Sequence, residues 1–155
     1  MNKAFMQEAI RLAEQGMRAG AGGPFGAVVV YQGQVIGRGC NQVLSAKDPT
    51  AHAEVVAIRQ ACQKLGSFWL KGCELYTNCE PCPMCLSAVY WARIGRVYFA
   101  TTRQDAADAG FLDNALYQEV SLPSDKRKVR LTPLLREEAL PVLAEWKQKA
   151  DKVGY

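Results

Sequence analysis

Apolar residues recur at three- and four-residue spacing in the first segment of the chain, and this spacing predicts a helix over residues 3–19. The runs AVVVY and QVIGRGC follow, separated by Gln-Gly, and predict a β-hairpin over residues 27–40. Helical spacing returns over residues 51–65, where apolar side chains step by four and three until Gly66 ends the pattern. The first part of the chain is therefore expected to fold as helix, hairpin and helix.

The second part continues this alternation of strands and helices. The expected elements are strands at 73–78, 96–101 and 129–135, and helices over 80–95, 113–120 and 137–152. Pro133 restricts the last strand to the edge of a sheet. The polar stretch 121–130 is the best candidate for a linker. Strands alternating with helices predict an α/β fold with one mixed sheet between helical layers, and a chain of 155 residues is expected to form a single domain, residues 1–155.

Composition is that of an ordinary globular protein, with 49% hydrophobic residues and a formal charge of +4. The densest basic run, KRKVR at 126–130, is better explained as a solvated connection than as a nucleic-acid patch, because nucleic-acid binders concentrate more charge on one face. The N-terminus lacks an apolar signal core, and no apolar run approaches the roughly 20 residues that span a membrane. We therefore expect a cytoplasmic protein without membrane contact, whose cysteines serve as thiols or metal ligands.

His52 is the only histidine of the chain, and it has candidate partners. Cys82 and Cys85 are spaced i, i+3 at the expected start of a helix, where the helix dipole favours thiolates. One imidazole and two thiolates can hold zinc and leave a fourth position for water, as catalytic zinc sites do. Glu54 would lie beside that water as a proton carrier.

Cys79 offers an alternative, since it precedes Cys82 by three residues. With His52 it would complete a closed Cys3His structural zinc site, in which the chain would be a structural or interaction module rather than an enzyme. We favour the open site because a closed one leaves Glu54 without a role, and we expect Cys79 to end its strand and face the core.

H-x-E followed by P-C-x-x-C is the signature of zinc nucleobase deaminases. The stretches DPTAHAEVVAIRQAC, LYTNCEPCPMCLSAVYWARI and DAADAGFLDNALYQE together resemble the bacterial guanine deaminases of the zinc-dependent cytidine-deaminase-like superfamily. The zinc motifs mark the superfamily, whereas AADAGFLDN and the terminal tyrosine indicate guanine. The resemblance runs from about residue 3 to Tyr155.

This resemblance implies a three-layer α/β/α fold with a central mixed five-stranded sheet, and hydrolytic deamination of guanine to xanthine and ammonia, a step of purine catabolism. It implies one zinc ion per chain, held by His52, Cys82 and Cys85, which lowers the pKa of its water toward 7 and supplies hydroxide for attack on C2 of the purine. Glu54 would carry the proton to N3 and then to the departing amine. The backbone N–H near Cys82 would help to orient the hydroxide.

The candidate contacts to the base each have a simpler explanation as well. Asn41 could bind the base edge or be a turn residue, and Phe25 could border the base or pack in the core. Trp91 could line the pocket or belong to the core, and Asp113 could accept a guanine N–H or cap the next helix. Ala53, between His52 and Glu54, completes this set. Glu80 is either a carboxylate supporting the metal ligands or exposed.

The C-terminal tail, although a terminus usually frays, ends on an aromatic side chain after an amphipathic helix. The resemblance implies that Tyr155 lies over the active site of a homodimer in which the segment from about 131 to 155 crosses to the partner. Competing activities are those of a tRNA adenosine deaminase, which needs a basic nucleic-acid surface, and of a pyrimidine or triazine aminohydrolase. The balanced C-terminal third, with nine basic and nine acidic residues after residue 100, argues against nucleic acid.

Overall fold

The computed structural model describes residues 1–111 and 113–154, and for Asp113 and Asn114 the backbone alone. Its helices in this part of the chain are α1 (Lys3–Arg18), α2 (Val43–Ala46), α3 (Ala53–Leu65), α4 (Pro83–Trp91), α5 (Arg103–Asp108), α6 (Asp113–Ser121) and α7 (Arg136–Gln148), with a 3-10 turn at Ser124–Lys126. Its strands are β1 (Gly26–Tyr31), β2 (Gln34–Cys40), β3 (Cys73–Cys79) and β4 (Arg96–Thr101). None of the described helices is both long and apolar enough to cross a membrane.

The four strands form one mixed sheet in the order β2-β1-β3-β4. Strand β1 pairs antiparallel with both β2 and β3, so that Val28 lies between Arg38 and Tyr76. Strand β4 pairs parallel with β3. The expectation of a mixed sheet is confirmed, but the expectation of five strands is wrong for the described residues, which form four.

Alternation along β1 divides the interior into two layers. Ala27 and Val29 pack with residues of α3 and α4 on one face of the sheet. Val28 and Val30 point to the opposite face, where they meet Phe5 of α1. Because successive strand residues face opposite sides, this one strand contributes to both cores. The result is the expected α/β/α arrangement, with α1 on one face and α3 and α4 on the other.

Helix α3 is held unusually close to the sheet by a glycine in β2. A Cβ atom on Gly39 would lie 2.1 Å from the carbonyl oxygen of Ala53, the first residue of α3. Any larger residue at position 39 would therefore displace the start of the helix. This contact fixes the end of α3 at which His52 and Glu54 are found.

The segment after α6 does not form the strand expected at 129–135. Pro133 has no backbone N–H, and the leucines of this stretch are exposed, Leu134 at 82%. A strand needs a neighbouring edge to bond its backbone groups, and none of the four described strands pairs with this segment. Helix α7, which follows, has no buried residue.

Two short helices were not expected, α2 with four residues and α5 with six. Neither is long enough for an apolar repeat of 3.6 residues to become visible in the sequence. Helix α5 does carry a capping box, in which the Thr102 and Asp105 side chains each bind the other's backbone N–H. That pattern was the one local signal for it.

Candidate metal centre and active site

The candidate metal ligands stand at the starts of two helices. His52 is the N-cap residue of α3 and Cys82 the N-cap residue of α4, and neither side chain caps its own helix. Cys85 lies one turn into α4 and is fully buried. Proline at the first position of α4 fits the helix start because it has no N–H to leave unpaired. Both cap positions are thereby free to present a donor atom to the same point.

The spacing of the three donor atoms suits a tetrahedral ion. The Nδ1 atom of His52 lies 3.6 Å from Sγ of Cys82 and 3.5 Å from Sγ of Cys85. Zinc–sulfur and zinc–nitrogen bonds of about 2.3 and 2.0 Å at a tetrahedral angle place sulfur and nitrogen about 3.5 Å apart. All three atoms lie within 4.8 Å of one another. The residues therefore fit one zinc ion per chain.

Cys79 lies outside this group. Its Sγ approaches the carbonyl oxygen of Thr102 at 3.7 Å, at the end of β3, and the metal-ligating group found among the described residues consists of the other three. Three protein ligands leave one tetrahedral position for water or substrate. The geometry favours the open site over the closed Cys3His arrangement.

The pKa values of the Cys82 and Cys85 thiols are shifted in opposite directions. A hydrogen bond from the Cys85 thiol, together with the His52 ring, lowers the pKa of Cys82 to about 4. The same hydrogen bond, together with burial, raises the pKa of Cys85. A cation in contact with both sulfurs would replace the proton of the Cys85 thiol, because a metal ion favours the thiolate form of its ligands.

Glu54 is a buried carboxyl group beside the ligands. Its side chain is 6% exposed, and Oε2 accepts a hydrogen bond from Sγ of Cys85 at 3.4 Å. Burial is the largest influence and raises the pKa of Glu54, because it disfavours the charged form. A carboxyl group with a raised pKa is suited to accept and return a proton near neutral pH.

These side chains open into a cavity of ≈ 460 Å³. That volume is within the range of small-molecule sites. The residues that line it come from the loop before β1, the segment after β2, the starts of α3 and α4 and the turn after α5: Gly22, Gly23, Phe25, Asn41, Val43, Leu44, His52, Glu54, Cys79, Glu80, Cys82 and Phe111. The cavity therefore contains two candidate metal ligands and the buried carboxyl group.

Asn41 lies on the cavity wall with a fixed orientation. It is 5% exposed, and its Oδ1 atom accepts hydrogen bonds from the N–H groups of Gly23 and Val43 at 3.3 and 3.2 Å. A Cβ atom on Gly22 would lie 2.0 Å from that oxygen, so the loop can approach only as glycine. With Oδ1 engaged by the protein, the amide N–H2 is the group left for a ligand.

Two aromatic side chains close another part of the wall. Phe25 and Phe111 meet edge to face with ring centroids 4.7 Å apart. Phe25 also packs against the core, so both of its expected roles have support. Phe111 was not anticipated as a cavity residue, although it lies within the AADAGFLDN stretch that pointed to the base.

The remaining candidate contacts to the base lie in different parts of the molecule. Ala53 is fully buried between His52 and Glu54. Trp91 is 65% exposed at the end of α4, beside a separate apolar groove, and the fold of one chain does not bring it to the cavity. The side chain of Asp113 and all of Tyr155 lie outside the described residues.

Sequence reasoning missed the contributions of α2 and of the loop after Cys79. Val43 and Leu44 line the cavity from a helix that is too short to predict. Glu80, left open between two roles, lines the cavity and accepts the N–H of Arg103 at 3.0 Å. The available signal was proximity, since these residues adjoin Asn41 and Cys82 in the sequence.

Comparison with known families gives one match that includes every candidate metal ligand. Residues 1–101 match the cytidine and deoxycytidylate deaminase zinc-binding region. This stretch contains His52, Glu54, Cys82 and Cys85 and ends with β4.

Individual relatives extend the likeness to the C-terminus. The chain is 47% identical to guanine deaminase of Bacillus subtilis over 154 residues, 99% of each chain. The X-ray structure of that enzyme covers 100% of this chain and 99% of its own, with a TM-score of 0.94. The tRNA-specific adenosine deaminase of Aquifex aeolicus is 36% identical over 94% of this chain and 93% of its own. A solved mutant protein in complex with 8-azaguanine is 32% identical, with a TM-score of 0.69 over 92% of this chain and 81% of its own.

Proposed function

Because the chain belongs to the cytidine and deoxycytidylate deaminase zinc-binding family, we propose that it hydrolyses guanine to xanthine and ammonia. The observation that carries the proposal is the buried Glu54 carboxyl group, 3.4 Å from Sγ of a candidate zinc ligand and open to the cavity. A structural zinc site has no use for such a group. The choice of guanine is supported by the 47% identity to a guanine deaminase over nearly the whole of both chains.

The zinc ion would be held by Nδ1 of His52 and the thiolates of Cys82 and Cys85, whose spacing fits it. When bound, zinc lowers the pKa of a coordinated water toward 7, which makes a nucleophile available at neutral pH. The protein contributes the fixed position of the donors. It also contributes a cavity floor with no fourth ligand among the described residues.

Glu54 is the proton carrier of the proposal. Its carboxylate would accept a proton from the attacking water and deliver it to N3 of the purine as the oxygen bonds to C2. Glu54 would then take the proton of the hydroxyl group now on C2 and pass it to the amine. The C2–N bond breaks as C2=O forms, ammonia leaves, and the carboxylate is regenerated. The raised pKa of Glu54 supports both directions of transfer, since a weaker acid holds the proton longer between the two steps.

The base would be held by the cavity wall. The amide N–H2 of Asn41 can donate to a purine acceptor, because Oδ1 is occupied by backbone donors. Phe25 supplies an apolar surface beside the ring. Ala53 and Asp113 would also contact the base, with Asp113 accepting an N–H that guanine has and adenine lacks. Trp91, which faces a separate groove in one chain, would reach a base only from the partner subunit.

We propose further that the chain acts in the cytoplasm as a homodimer in which the segment from about 131 to 155 crosses to the partner and places Tyr155 over the bound base. The support is the exposure of that segment, where Val142 and Leu143 are 68% and 66% accessible. Apolar side chains in such numbers indicate contact with another protein surface. Exchange of an identical segment forms a dimer at little cost.

An ammonia-release assay over a panel of substrates tests the function. The zinc-loaded protein is offered guanine, guanosine, adenine, cytosine, ammeline and a tRNA anticodon stem, with chelator-treated protein as the control. Release from guanine alone, lost on chelation and restored by zinc, is the expected result. Faster release from the tRNA stem, from cytosine or from ammeline would replace the proposed substrate, and no release from any of them would return the chain to a structural role.

A further inference from the structure

The loop that carries Cys82 is bonded on the side away from the cavity by a tyrosine. Tyr117 of α6 donates its hydroxyl proton to the carbonyl oxygen of Pro81 at 2.6 Å. Its ring lies under the guanidinium group of Arg103, 4.8 Å from the ring centroid. Tyr117 and Arg103 border a depression that is separate from the active-site cavity. The tyrosine therefore contacts the metal-binding loop from outside the active-site cavity.

The carbonyl of Pro81 and the N–H of Cys82 belong to the same planar peptide unit. In a trans peptide the two groups point in opposite directions, so a bond that fixes the carbonyl also fixes the N–H. Cys82 lines the cavity, and its N–H donates to no acceptor within residues 1–111 and 113–154. Proline follows at position 83 and has no backbone N–H of its own.

We infer that Tyr117 is a positioning residue that holds the Pro81–Cys82 peptide so that the Cys82 N–H faces the reacting oxygen. The inference rests on the proposed deamination, in which the attacking water oxygen beside His52 and Cys82 gains negative charge as Glu54 removes its proton. A donor that is already aimed at such an oxygen needs no reorganisation when charge develops. The tyrosine bond also polarises the peptide, because hydrogen bonds in a chain strengthen one another.

Among the described residues, the hydrogen bond that engages the carbonyl of Pro81 comes from Tyr117, as the contacts of its neighbours show. The adjacent Glu80 is bonded by its N–H to the carbonyl oxygen of Thr101 at 2.8 Å and by its carboxylate to the N–H of Arg103. These bonds hold the residue before Pro81, and the N–H of Leu86 donates to the carbonyl oxygen of Cys82 at 2.8 Å, but neither engages the Pro81–Cys82 peptide itself. Tyr117 supplies the bond at that peptide.

Tyr117→Phe tests the inference, because it removes the hydroxyl and keeps the ring that contacts Arg103. Loss of one neutral hydrogen bond predicts a fall in kcat of about tenfold, with KM for guanine and zinc content unchanged. Ser87→Ala is the matched control: it removes a hydroxyl that donates to the carbonyl of Pro83 at 2.8 Å, two residues further along the same segment. Its kcat should stay within twofold of the parent protein.

A second measurement does not depend on turnover. The sequence contains one Pro–Cys pair, so labelling proline with ¹³C at its carbonyl and cysteine with ¹⁵N assigns the Pro81–Cys82 peptide in a single NMR experiment. Tyr117→Phe should shift this signal and leave the other cysteine amides in place, whereas Ser87→Ala should leave it unmoved.

Unchanged kcat in Tyr117→Phe would overturn the inference. A fall in kcat that comes with loss of zinc, or with shifts of all the cysteine amides, would overturn it as well, because both indicate general loosening. If the parent protein releases no ammonia from guanine, the proposed function fails. The NMR experiment still tests the contact in that case, because an unshifted Pro81–Cys82 signal in Tyr117→Phe would show that Tyr117 does not hold this peptide.

Discussion

Residues 1–111 and residues 122–154 differ in how far their apolar side chains are buried. In the first region Val28 and Val29 are fully buried, one on each face of the sheet. In the second, Val142 and Leu143 are each about two-thirds exposed, and α7 buries no residue. The first region forms a core of its own, although Tyr90 and Trp91 stay exposed, whereas the apolar side chains of the second region have no core in one chain and need further protein contact to be buried.

The candidate functional residues are also divided unequally between the two regions. The metal ligands, Glu54 and the described cavity lining all belong to the first region. The candidate metal ligands and the cavity are therefore positioned by packing within the first region. The second region can affect them only by binding to the cavity or closing over it. Substitutions in the first region should therefore change metal binding or catalysis, whereas truncation of the second region should lower activity without loss of zinc.

The largest effect is expected from Cys85→Ser, in the first region. It removes a thiolate from the three-donor group, so zinc and all turnover should be lost. Metal analysis of the purified variant measures the first, and ammonia release the second. Cys79→Ser is the control, since Cys79 lies outside the group, and it should retain one zinc per chain. Loss of zinc from the Cys79 variant would favour the closed four-ligand site.

Glu54→Gln should separate catalysis from metal binding within the same region. Glutamine keeps the shape and the hydrogen-bonding capacity of the side chain but carries no exchangeable acid proton, so kcat should fall by about 10²–10⁴ with zinc retained. Steady-state kinetics on zinc-loaded protein measures the loss. Turnover close to that of the parent would remove Glu54 from the proton path.

Deletion of residues 152–155 addresses the second region. The shortened chain should fold and bind zinc, because those depend on residues 1–111, yet turn over guanine much more slowly if the tail closes the cavity. Full activity of the shortened chain would end the proposed role of Tyr155.

Mixing the shortened chain with the Glu54→Gln chain tests whether the tail crosses between subunits. If it acts on the partner, each mixed dimer has one site with both defects and one intact site, and activity returns. If it acts on its own chain, each site keeps one defect and mixing restores nothing.

The smallest effect is expected near the end of the first region, where α5 begins. Hydrogen bonds from the Thr102 hydroxyl and backbone N–H lower the pKa of Asp105. A carboxyl group with a lowered pKa adds stability above its unfolded pKa, about 3.9, and this contribution is lost as the pH falls through the folded value. Thr102→Ala should raise the pKa of Asp105 toward its ordinary value, as followed by carboxyl ¹³C NMR. An unchanged titration would remove the capping box as its cause.

Sequence reasoning succeeded where a pattern is repeated over many residues. The α1, α3 and α6 helices and the hairpin were expected close to their observed bounds, because periodicity and glycine stops mark them. The zinc ligands were also predicted, since the types and spacing of His52, Cys82 and Cys85 suit one ion. The expected zinc cofactor and family are confirmed.

It was wrong, or incomplete, where structure depends on distant contacts. The run at 129–135 has a strand-like pattern, but a strand exists only beside a partner edge, and local sequence does not specify one. Trp91 was expected in the pocket, yet an aromatic residue at a helix end can face any neighbouring surface, and in one chain it faces a separate groove. Tyr117 gave no signal because its partner is 36 residues away.

The close contact between Gly39 and Ala53 bears on how this protein could acquire new substrates. It ties His52 and Glu54 to the central sheet, so substitutions there would displace both side chains. Val43, Leu44 and Phe111, by contrast, line the cavity from a four-residue helix and a turn outside the sheet. Mutation could change these positions without moving the candidate metal ligands. Under the proposed function, the part of the cavity formed by His52 and Glu54 is constrained during evolution, while Val43, Leu44 and Phe111 are open to variation. A library restricted to these three positions is the economical place to select for other nitrogen heterocycles.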